Sequence, residues 1–137
     1  CIRDMYWYSQ FLSNHPAQTL GFVMHTSDLL QPHHVWTTSA LNHSGWESWV
    51  ADYYDSENLN NTALVDQALT DFTPLATASN DIRPLLTQGG AMAYSNGGIV
   101  LSSTDHSDRV QVAQVVIPHA IAMVVHVLNH AAVKVNP

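Results

Sequence analysis

The segment from His119 to Lys134 constrains the fold most. At about 100° per residue, His119, His126, His130 and Lys134 fall within an arc of about 80° on a helical wheel, with Asn129 beside them. Every other position from 120 to 133 is Ala, Ile, Met, Val or Leu. One narrow polar stripe on an otherwise apolar cylinder is the pattern of a helix buried over most of its circumference. The valines here favour a strand by propensity. As a strand, however, His119 would face opposite His126 and His130 and scatter the polar groups. The pattern therefore predicts a helix over 119–133, with Pro118 at its start.

Upstream, local signals are shorter. Ser44-Gly45-Trp46-Glu47 has the capping-box form, and Trp46, Trp49, Val50 and Tyr53 recur at helical spacing, predicting a helix over 45–54. A polar linker, Asp55 to Asn60, leads to a second helix over 62–72, capped by Asn61, striped by Leu64, Val65, Ala68, Leu69 and Phe72, and stopped by Thr73-Pro74. Residues 2–13 give a mixed signal, and 19–25 and 34–39 read as short strands. A helical turn at 81–88 starts with Pro84 and ends at Gly89-Gly90. Gly97-Gly98 and Asp105 to Asp108 read as turns, framing a hairpin of 99–103 with 109–117. The expected fold class is α+β: three main helices, near 45–54, 62–72 and 119–133, with a few short, mostly antiparallel strands.

At 137 residues the chain has the size of a single domain, 46% hydrophobic. Charged residues reach only 11%, less than half the usual share, and Ser, Thr, Asn and Gln supply the polarity instead. Four basic side chains against eleven acidic ones, a formal charge of −7, argue against nucleic-acid binding by this segment. The longest apolar run is interrupted by histidines, so no membrane span is expected. The single Cys, Cys1, cannot form an internal disulfide or a Cys-rich zinc site. With neither an initiator Met nor a signal sequence, the chain reads as a processed product or a segment of a larger polypeptide.

Candidate chemistry centres on histidine. His126 and His130, spaced i, i+4, can reach one divalent metal such as zinc. His119 lies about 10 Å from His126 by helical rise, too far to share that ion. A third ligand would come from His33, His34, His106, Asp105 or Asp108. The plainer reading makes the stripe a wet helix edge or a subunit contact and implies no cofactor. Asp105-His106-Ser107-Asp108 holds triad residue types, but neighbours within one turn rarely converge, and local hydrogen bonding by Asp and Ser explains them. Trp46 and Trp49 are expected at a core or an interface.

Without a recognised catalytic motif, a non-enzymatic role is the expectation. The favoured function is a structural or assembly module of a homo-oligomer or larger particle, self-associating or contacting other segments of the same polypeptide. Sparse charge and an apolar terminal helix favour it, and a shell- or coat-type protein fits the composition. The alternative is a small metal-binding protein or metal-dependent enzyme using the histidine face. Nine histidines carry the net charge from −7 to slightly positive on acidification, through zero near the sequence pI of 5.5. Self-association is therefore expected to change between about pH 5 and 6, with His119, His126 and His130 as the responsive groups. Particle size against pH, compared with a triple Gln variant, tests this; an unchanged midpoint removes the stripe as a switch.

Overall fold

The computed structural model describes residues 43–77 and 82–135. They form four helices: α1 (His43–Tyr53), α2 (Thr62–Thr77), α3 (Arg83–Ser102) and α4 (His106–Val135). There is no strand among the described residues, which overturns the α+β expectation. The segments expected as strands at 19–25 and 34–39, and the mixed segment 2–13, lie outside the described residues.

α1 begins at His43, two residues before the expected start, and carries Trp46 and Trp49 on its buried side. The chain then turns through the polar linker, where the Leu59 N–H donates to the Tyr54 carbonyl at 3.0 Å. Asn58 sits at φ 50°, in the left-handed region that Asn tolerates better than most residues. Leu59, the lone apolar residue of this linker, is fully buried. Asn61 caps α2 as expected: its Oδ1 accepts the N–H groups of Ala63 at 2.9 Å and Leu64 at 3.4 Å.

Pro74 does not stop α2, which runs on to Thr77. The proline cannot donate to the Thr70 carbonyl. Around it, the Thr70, Thr73 and Thr77 hydroxyls donate to the carbonyls of Asp66, Leu69 and Thr73 at 2.7–2.9 Å, which keeps these polar side chains hydrogen-bonded along the helix. Pro84 lies in the first turn of α3, as the signal for a helix start required. The glycine pairs do not end that helix. Leu85, Leu86, Gly89, Ala93 and Gly97 are buried along it. Gly89, Ala93 and Gly97 recur every four residues, a strip of small side chains along one face, and this smooth strip lets another helix approach closely. The two glycines are accommodated there despite a helix cost of about 1 kcal/mol each.

Ser103–Asp105 joins α3 to α4 in a helical hairpin, and the expected strands at 99–103 and 109–117 belong instead to the end of α3 and the start of α4. Arg109, Val112, Ala113, Val116 and Ile117 are buried at the spacing i, i+3, i+4, i+7, i+8, a helical stripe that overrides the β-propensity of the valines. Pro118 therefore sits inside α4, fully buried, rather than at its first turn.

α4 packs most extensively on α2 and next on α3. Two apolar clusters result. Ala68, Phe72, Leu85, Leu86, Ala122, Met123 and Val127 join α2, α3 and the second half of α4. Trp46, Trp49, Leu59, Val112, Ala113, Val116 and Ile117 join α1, the linker and the first half of α4. Leu59→Ala is expected to cost about 2–5 kcal/mol by opening the second cluster, and Asn61→Ala about 1 kcal/mol by removing the cap. Urea denaturation checks both. A Leu59 variant as stable as wild type would detach the linker from this core.

Candidate functional site

Two histidines of the α4 stripe, His119 and His126, face inward against α2. His119 is part-buried, edge-on to Phe72 with ring centroids 5.1 Å apart. Its Nδ1 lies 2.7 Å from the Val115 carbonyl and its Nε2 lies 3.3 Å from Asp71 Oδ2. Both neighbours are acceptors, so the ring satisfies both only by donating from both nitrogens. His126 Nε2 donates to the Leu69 carbonyl at 3.1 Å, the same oxygen that accepts the Thr73 hydroxyl. His130, one turn further, is half-buried. The contact that His119 and His126 serve within the chain is therefore the one between α2 and α4.

This arrangement bears on the metal reading. His126 uses Nε2 as a hydrogen-bond donor, which leaves Nδ1 as its possible ligand atom. Asp105, His106 and Asp108 begin the same helix, so about 20 residues of helical rise, roughly 30 Å, separate them from the His126–His130 pair. No group of three or more His, Cys, Asp or Glu suited to a metal occurs among the described residues. His33 and His34 lie outside the described residues.

A second cluster forms where α1, the linker and the start of α4 meet. Trp46 and Trp49 stack with centroids 5.6 Å apart, and both are buried, so their indoles serve the core rather than an open stacking surface. The Trp49 indole N–H donates to His106 Nδ1 at 3.3 Å. His106 Nε2 lies 3.0 Å from Glu57 Oε1. The ring thus accepts at Nδ1 and donates at Nε2, the pattern of a neutral imidazole holding three segments together. Tyr53 completes the cage, 4.6 Å from His106 between ring centroids.

The triad-like residue types at 105–108 are explained by a helix start. Asp105 Oδ1 accepts the Ser107 N–H at 2.8 Å and its hydroxyl at 2.6 Å. The serine hydroxyl therefore serves the cap rather than a histidine base, and His106 offers no free ring nitrogen. What local reading missed is the set of partners: Glu57, Asp71 and the Leu69 carbonyl meet their histidines across 48–57 positions of chain. No spacing signal marks such pairs.

The Ser107 side-chain and backbone hydrogen bonds hold the exposed Asp105 carboxyl below the usual carboxylate range. A group lowered on folding stabilises the fold above its ordinary value, near 4, and that contribution is lost as pH falls through the lowered value. Asp105→Asn keeps a capping oxygen but removes the titration. Helicity followed by circular dichroism below about pH 4 should therefore fall less steeply in the variant. An acid profile identical to wild type would place the sensitivity elsewhere.

No protein-family model matches this chain, and no curated protein and no solved structure matches it.

Proposed function

We propose that this chain is a self-associating helical module whose α4 offers an apolar face to a second copy. The observation that carries the reading is a groove of about 270 Å³ lined by Ala120, Ile121, Val124 and Val125. With His119 and His126 turned toward α2, this apolar side of α4 is left only half-buried. Charge argues for a copy of the same chain as the occupant. At −7 the molecules repel one another, so self-contact is favoured where charge is absent. No Asp, Glu, Lys or Arg occurs from 120 to 133. A twofold axis through such a face is self-complementary without requiring opposite charges.

The stretch His106–His130 is also long and apolar enough to cross a membrane by length and composition, with half of its most apolar window buried inside the fold. A core helix of a helical bundle meets the same criterion. The two readings differ in what they need, a second copy or a bilayer.

Sedimentation velocity on the wild type should show a concentration-dependent mass above the 15.1 kDa protomer. Val124→Glu and Val125→Glu should each return it to the protomer with helicity retained, because a charge buried in an apolar contact is costly. A wild-type protomer at all concentrations overturns the proposal. So does co-flotation of the wild type with neutral lipid vesicles that the Glu variants lose, since that assigns the face to a membrane.

A further inference from the structure

Arg109 is the buried charged residue among the described residues, 8% exposed. Its Nη1 donates to the Gly45 carbonyl over a long 3.5 Å, and its Nε is buried with no hydrogen-bond partner. A guanidinium carries five N–H donors in a planar fork. Here one of them makes a weak bond. The imidazole–carboxylate contacts His106–Glu57 and His119–Asp71 do not reach Arg109. Asp105, at the same helix start, is engaged by Ser107.

The position makes this deficit worse. Arg109 is the fourth residue of α4, and Gly45 is the third residue of α1. Both first turns are the positive ends of their helix dipoles, where a cation is disfavoured. A buried cation, short of acceptors and set between two positive helix ends, is completed by negative charge.

We propose that Arg109, with the first turns of α1 and α4, forms a seat for a compact oxyanion, a carboxylate or a phosphate group. Such a group accepts two parallel N–H bonds from the fork, which a spherical ion cannot match. The small exposure that Arg109 retains suits a compact group rather than an extended polyanion. The overall charge of −7 opposes general accumulation of anions, so a saturable anion effect reports a local site.

Thermal unfolding of the full chain, titrated with inorganic phosphate or acetate against chloride at constant ionic strength, tests the seat. Wild type should gain on the order of 10 °C at phosphate a hundredfold above its dissociation constant. Arg109→Met should fold in chloride, since it leaves no unpaired buried charge, and should not respond to phosphate. Arg109→Lys keeps the charge without the fork and should show less than half of the wild-type shift. If a second copy supplies the carboxylate, the wild-type midpoint rises with protein concentration instead, and Arg109→Met loses that rise. A response to phosphate equal in wild type and Arg109→Met overturns the proposal. So does a midpoint that neither oxyanion nor protein concentration moves differently in wild type and Arg109→Met.

Discussion

α4 has to fill two apolar clusters at once, and the other helices are placed by that demand. Its first half brings Val112, Ala113, Val116 and Ile117 to the tryptophans of α1 and to Leu59. Its second half brings Ala122, Met123 and Val127 to Phe72 of α2 and the leucines of α3. Pro118 lies at the junction, fully buried. A proline inside a helix costs about 3 kcal/mol and leaves the Gln114 carbonyl without its usual donor. Independent packing on either side holds the helix through that position. His119 adds a side-chain bond to the Val115 carbonyl beside it.

The same helix inverts the usual sense of amphipathicity. A polar stripe ordinarily faces water. Here α2 presents acceptors to the stripe, the Leu69 carbonyl and the Asp71 carboxylate, along with the ring of Phe72. An imidazole is apolar on its faces and polar at its nitrogens, so it can pack on an aromatic ring and still be hydrogen-bonded. Once the histidines are used inside, the side bearing Val124 and Val125 is left to the groove, with Ile121 at its edge packed on the second cluster. Packing that satisfies the polar groups of α4 thus leaves apolar area on its other side.

The failures of local reading share one cause. Glycine pairs, a Thr-Pro step and alternating valines are weak local preferences, worth about 1 kcal/mol per residue for glycine and strand propensity. Burial of a helical face sums over many residues. In α3 the small residues at 89, 93 and 97 become useful as a strip, and in α4 the residues from 109 to 117 contribute a buried stripe. Pro74 costs more, but its helix is held by Phe72 in the core and by Leu75 packed against it.

Signals that act within one or two turns were legible in the chain itself. Asn61 caps α2 because its side chain needs only the next three residues, and the apolar stripe of 64–72 and the helical character of 119–133 follow from spacing alone. The acidity and scarcity of charge are likewise properties of the sequence. Only the tertiary structure decided which way the histidine stripe points, that His106 joins Trp49 to Glu57, and that Arg109 is buried against Gly45. Those contacts join residues 48 to 64 positions apart. Their geometry depends on how whole helices cross, and a four-residue period carries no information about that.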